Sequence, residues 1–171
     1  HDCKLAAGDN LEEKSIKCLR SECRTIFMMG DERVSGGSKI NNYLQLKTRY
    51  AGSPIFKNVI QTIPKAEESA KDFAYRIEKT FLEILAELTN PRIIILLGMG
   101  ADGHTAGIFP MDRQSFSRTY QDDLTYVSVY VPSLTIDSRA SFTPSWILEN
   151  VDEVVGLITG EEKLEMLTKL N

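Results

Sequence analysis

Histidine and cysteine are scarce in this sequence. The 171-residue chain has two histidines, His1 and His104, and three cysteines, Cys3, Cys18 and Cys23. Two histidines exclude an all-histidine metal centre within one chain, and a mixed centre would need distant carboxylates. An odd cysteine count without tight spacing argues against a disulfide framework and for a reducing, cytoplasmic setting. Cys18 and Cys23 have no matching second pair, so no zinc site is expected. Long apolar runs are also missing. No stretch approaches the roughly 20 residues of a membrane span. The opening HDCKLAAGDN has no apolar core of a secretory leader, so none is expected. Positive charge is not in excess: the formal net charge is −4. Neither a nucleic acid nor an anionic membrane is therefore an expected partner. A local basic cluster can still hold a small anion. Internal repeats and low-complexity tracts are absent too.

What remains is ordinary for a soluble globular protein, with 42% apolar and 26% charged residues. The length fits one domain that can bury a core without disulfides. LEEKSIKCLR carries Leu11, Ile16 and Leu19 as a helical stripe. RTIFMM reads as a buried strand ending at Gly30, DERVSGGSKINN as a loop, NYLQLKTRY as a helix and NVIQTI as a short strand. From Ala66 to about Leu88, Ala70, Phe73, Ala74, Ile77, Phe81, Leu85 and Leu88 recur at helical spacing, and Asn90-Pro91 ends the run. RIIILL is a near-continuous apolar run, the pattern of a parallel strand covered on both faces. YVSVYV, Tyr126 to Val131, is a further strand, and Glu153 to Ile158 another. Thr143-Pro144 starts a helix, with Thr as cap and Pro at the first position. Thr159-Gly160-Glu161-Glu162 offers a capping box for the last helix. Strands alternating with helices indicate an α/β domain with a mainly parallel sheet.

The loop after RIIILL holds Gly98, Gly100 and Gly103 at G-x-G-x-x-G spacing. A dinucleotide site also needs an acidic residue ending the next strand, about twenty positions on. Asp122 and Asp123 precede the strand TYVSVYV instead. Asp102 would set a carboxylate against a pyrophosphate. The alternative gives each residue a task. The glycines permit a tight turn, and Asp102 and His104, two apart, can face one cavity. A carboxylate beside an imidazole orients the ring and stabilises its charged form, and such a ring can activate water. From spacing alone, a histidine that caps a helix or packs against the core is an equally good reading.

The segment from Gly98 to Pro110, GMGADGHTAGIFP, resembles the hallmark loop of the 6-phosphogluconolactonases, a superfamily shared with the glucosamine-6-phosphate deaminases and isomerases. FMMGDERV, with Asp31, Glu32 and Arg33 and then Asn42-Tyr43, resembles the family's D-E-R loop and S-N-Y. RASFTPSWILENVDEVVGLITGEEK resembles its helix-strand segment ending in the turn with Lys163. The resemblance implies a Rossmann-like open, mainly parallel sheet with helices on both faces, of the NagB/RpiA/CoA-transferase-like kind. It implies one lactonase-like domain over residues 1–171, without the family's first strand and phosphate loop and without its C-terminal end.

The activity it implies is hydrolysis of 6-phosphoglucono-δ-lactone in the pentose phosphate pathway, without a cofactor or metal. The partner is a sugar phosphate, with fusion to or association with other pentose phosphate enzymes a further expectation. His104 and Asp102 would be catalytic. Asp31, Glu32, Arg33, Gly100, Gly103, Arg139 and Lys163 would bind substrate, with Lys163 and Arg139 on the phosphate. Asp31 and Glu32 would hold sugar hydroxyls or else pair with Arg33. Ser35 to Ser38 would form a turn that holds no phosphate. Deaminases of the superfamily carry a glutamate five residues after the histidine; here that residue is Phe109. The alternatives are an amino-sugar phosphate deaminase or isomerase and a non-catalytic sugar-phosphate-binding domain.

Overall fold

A computed structural model describes residues 25–35, 40–121 and 123–169. The expected helix at LEEKSIKCLR, the three cysteines and most of the SGGSK turn lie outside the described residues.

Two sheets form. The larger has three strands in the order β1 (Asp31–Arg33), β4 (Ser138–Phe142) and β3 (Tyr126–Tyr130), and both of its pairings are antiparallel. The smaller pairs β2 (Ile94–Leu97) with β5 (Glu153–Gly156) in parallel. The α/β reading holds, but among the described residues parallel pairing does not dominate. The strand expected at RTIFMM is reduced to a single parallel bridge between Phe27 and Val59, which is also all that forms of NVIQTI. The strand lies instead in the segment read as loop. Asp-Glu-Arg has poor strand propensity, yet pairing with β4 overrides it.

Helices α1 (Asn42–Tyr50), α2 (Ala70–Ala86) and α4 (Pro144–Asn150) fall where the sequence places them, α2 by its periodicity and α4 by its Thr-Pro start. Their caps are local: Asn41, Ser69 and Thr143 accept backbone N–H groups from Leu44, Asp72 and Trp146. Helix α3 (Arg113–Thr119), capped by Asp112, was not expected. The last helix, α5 (Leu164–Thr168), is preceded by a 3₁₀ turn over Glu161–Lys163. Gly160 at φ 100 flanks that turn without a side-chain cap, so the expected Thr159 capping box does not form. The main core packs Phe73, Ala74 and Ile77 of α2 and Trp146 and Ile147 of α4 on one face of the antiparallel sheet, with Ile95 of β2 joining it. A second cluster, on the opposite face, holds Phe109, Tyr120, Val127 and Val129.

The run RIIILL does not have both faces covered. Ile95 is buried, but Ile94 and Leu96 are 56% and 62% exposed. All four residues of β5 are exposed as well. A run of apolar residues reports what a strand can bury, and the described residues cover one of its faces.

Candidate active site

The antiparallel register fixes which side chains meet. In β1, Asp31 and Arg33 point to one face and Glu32 to the other. Across the ladder, Asp31 stands opposite Ser141 and Arg33 opposite Arg139. Two guanidinium groups therefore sit side by side, an arrangement that costs stability unless an anion intervenes. Asp31 supplies part of that charge, with Oδ2 3.5 Å from Arg139 Nη1. Burial raises the Asp31 carboxyl above its ordinary value, and the charges of Arg139 and Arg33 oppose this. Arg33 donates from Nη1 to the carbonyl of Ile40 at 3.3 Å. The Nε atoms of both arginines are buried without a hydrogen-bond partner among the described residues.

The glycine loop closes the site from the side of β2. Gly100 N–H donates to the carbonyl of His104 at 2.8 Å, and Gly103 N–H to that of Gly100 at 3.0 Å. Gly103 has φ 88, a conformation that favours glycine. A Cβ at Gly100 would collide with the imidazole of His104, so the missing side chain lets the ring fold back over the turn. Asp102 Oδ1 accepts the His104 backbone N–H at 3.2 Å and lies 2.5 Å from Nδ1. Burial works to raise the Asp102 carboxyl, but the hydrogen bonds and charge of His104 outweigh it and hold the group below its ordinary value. With Nδ1 on the carboxylate, Nε2 is the nitrogen left for chemistry. The ring stacks on Phe109, with centroids 4.5 Å apart and planes inclined by 26°. Arg139 lies over the same phenyl ring, its Cζ 5.2 Å from the centroid.

A cavity of about 340 Å³ opens between these parts, with Asp31, Arg33, Asn42, Gly100, His104 and Arg139 in its wall. Asp102 stands behind the imidazole. Of the nine expected site residues, Asp102, Glu32, Gly103 and Lys163 do not line this wall. Gly103 faces Met166. Lys163, beside α5, does not line the cavity. The expectation that Glu32 holds a sugar hydroxyl is corrected by its position. The residue is fully buried, and its carboxylate accepts N–H groups of Arg33, Asn42 and Tyr43 and the hydroxyl of Thr62. It ties β1 to the start of α1. Burial raises its carboxyl and those N–H donors oppose the shift. Asn42 is the wall residue that sequence reasoning left without a role. Its Nδ2 donates to the carbonyl of Asp31 at 3.0 Å. Its place in the motif after D-E-R was the available signal. Among the described residues no group of three or more His, Cys, Asp or Glu could hold a metal ion, and no helix is long and apolar enough to cross a membrane.

A family profile described as glucosamine-6-phosphate isomerases/6-phosphogluconolactonase matches residues 8–171. The chain belongs to this family. Over 77 residues it is 40% identical to the 6-phosphogluconolactonase of Treponema pallidum (strain Nichols), a match covering 45% of this chain and 30% of that protein. The solved 6-phosphogluconolactonase of Thermotoga maritima has a TM-score of 0.67 at 19% identity, over 93% of this chain and 81% of its own. That of Leishmania guyanensis gives 0.66 at 23%, over 92% and 66%. The match to the Treponema relative thus spans less than a third of that protein's length. At these identities the solved structures establish the shared α/β fold of the glucosamine-6-phosphate isomerase/6-phosphogluconolactonase family.

Proposed function

We propose that this chain carries the catalytic site of a 6-phosphogluconolactonase, opening 6-phosphoglucono-δ-lactone to 6-phosphogluconate in the cytoplasm without a metal or cofactor. The observation that carries the reading is the Asp102–His104 pair, 2.5 Å apart, facing a cavity whose other wall holds Arg33 and Arg139. His104 Nε2 removes a proton from water, and the water oxygen attacks the lactone carbonyl at C1. The bond from C1 to the ring oxygen then breaks, and the imidazolium returns its proton to that oxygen. Asp102 keeps Nδ1–H oriented and supports the charged ring. The N–H groups of Gly100 and Gly103 are already donated within the loop, so Arg33 is the group assigned to the oxyanion. Arg139 is assigned to the phosphate, where a planar fork of donors suits the anion. Asp31 and Asn42 are left for sugar hydroxyls.

The family description covers two chemistries, and residue 109 supports one of them. Phe109 turns a hydrocarbon face to His104 and has no proton to transfer, whereas amine chemistry on an open sugar needs a further proton shuttle. The test is hydrolysis of freshly prepared 6-phosphogluconolactone with the spontaneous rate subtracted. His104→Ala should lower kcat/KM by roughly 10²–10⁴. Activity within twofold of the parent chain rejects the role. Binding of 6-phosphogluconate without turnover would move the chain to the sugar-phosphate-binding class, and ammonia release from glucosamine 6-phosphate to the deaminases.

A further inference from the structure

We infer that Tyr120 is a positioning residue for the imidazole of His104, acting through Phe109; the catalytic part of this inference rests on the lactonase reading. The chain turns sharply after the histidine. Thr105 and Ile108 exchange backbone hydrogen bonds of 3.2 and 2.8 Å, and Ala106 between them takes φ 48, an unusual conformation for a residue with a side chain. Such a turn needs outside support to place Phe109, and Tyr120 gives it. The buried phenol accepts the N–H of Phe109 at 3.0 Å and donates to the carbonyl of Gly107 at 2.8 Å. One hydroxyl thus grips two backbone groups on either side of Ile108. Ser141 holds the same segment from β4, its Oγ accepting the N–H of Gly107 at 3.0 Å. A Cβ at residue 107 would lie 2.6 Å from that of Ser141, so the grip also depends on glycine there.

The phenol is itself fixed. Its ring meets Phe116 of α3 at 4.7 Å, and its backbone N–H closes that helix on the carbonyl of Phe116. Burial raises the phenol above its ordinary value, which keeps the donated proton in place. Both the donor and an acceptor site of the hydroxyl are in use, so Tyr120 serves geometry and leaves proton transfer to His104. The clamped Phe109, 3% exposed, presents its ring to His104 and to Arg139 alike. The water-activating group and the anion-binding group are thereby referenced to one phenyl ring. A small displacement of a catalytic group is enough to lower a rate steeply.

Tyr120→Phe removes the grip and keeps the ring. The expected result is a kcat at least fivefold lower, and a shift of the His104 ring-proton resonances in NMR spectra. His104→Ala distinguishes the His104 signals from those of His1, the other histidine of the chain. Phe109→Leu, which retains the backbone N–H and loses the phenyl face, should give the same kcat loss. In a folded Tyr120→Phe chain, unchanged His104 resonances overturn the inference, whether or not kcat has fallen. Wild-type kcat in Phe109→Leu overturns it as well. If the parent chain does not hydrolyse the lactone, shifted resonances in Tyr120→Phe still uphold the positioning role, and the lactonase reading alone falls.

Discussion

The two sheets of this molecule are built to different standards. The antiparallel sheet is covered on both faces: Ala140 is fully buried beneath α2 and α4, and Val129 is 1% exposed beneath the loop that carries Phe109. The parallel pair leaves Leu96 62% and Val154 53% exposed. Yet the loop bearing His104 leaves the bare pair, at the end of β2. Its far half is held by the covered sheet, through Gly107 on Ser141 and Phe109 on Val127 and Val129. The strand that leads into a site and the sheet that fixes its geometry are therefore different structures. Precision comes from packing on the second.

The sharpest test of that contrast is Phe142→Ala. Phe142 meets Tyr126, Phe81 and Trp146 with ring centroids 5.1, 5.1 and 4.6 Å apart. Truncation should cost about 3–5 kcal/mol of unfolding free energy, read from urea denaturation. A loss under about 1 kcal/mol would mean that the antiparallel core is not what holds the fold.

A smaller effect is expected where α2 is tied to the segment before it. Arg76 donates to both oxygens of Glu68 at 2.7 and 2.8 Å and to the carbonyl of Ile63 at 3.0 Å. The hydrogen bond from Arg76 is the main cause that lowers the Glu68 carboxyl from 4.5 to about 2. A lowered carboxyl contributes stability that is fully present above its unfolded value. That contribution is lost as pH falls through the folded value, so the window runs from about 4.5 down to about 2. Glu68→Gln should destabilise the chain by about 1 kcal/mol at pH 7, since part of the pair is open to solvent. The gap to the parent should close in denaturation curves taken towards pH 2. A gap independent of pH would remove the ion pair from the account.

The smallest effect belongs to the bare sheet. Ile94→Thr keeps a β-branched residue at a half-exposed position, and the expected change in unfolding free energy is within about 0.5 kcal/mol. A loss comparable with that of Phe142→Ala would show that the outer face of β2 is buried in the protein in solution.

Much of this was legible residue by residue. The stripe Phe73, Ala74 and Ile77 gave α2 its buried face, and Thr143-Pro144 marked the start of α4. Asp102 and His104 were readable as a pair because they are two residues apart and the turn between them is local. Strands β1 and β4 were not legible. Asp31-Glu32-Arg33 and Ser138 to Phe142 have no strong strand pattern, and each is a strand because the other lies beside it. Glu32 and Arg33 looked equally suited to a ligand. Alternation along a three-residue strand sent one to the core and the other to the cavity. Tyr120 carried no signal, since its partners are backbone groups eleven and thirteen residues away.

The sequence by itself determined α1, α2 and α4, and the glycine turn that folds a histidine back onto an aspartate, since all of these are settled within a few residues of chain. Tertiary structure alone decided which cations share the cavity with the histidine, which acid is buried and which phenyl ring the imidazole rests on. Those depend on strand register and on contacts between segments as far apart as Asp31 and Arg139. Spacing in a sequence carries no record of such distances until the backbone hydrogen bonds of the sheet have chosen one alignment.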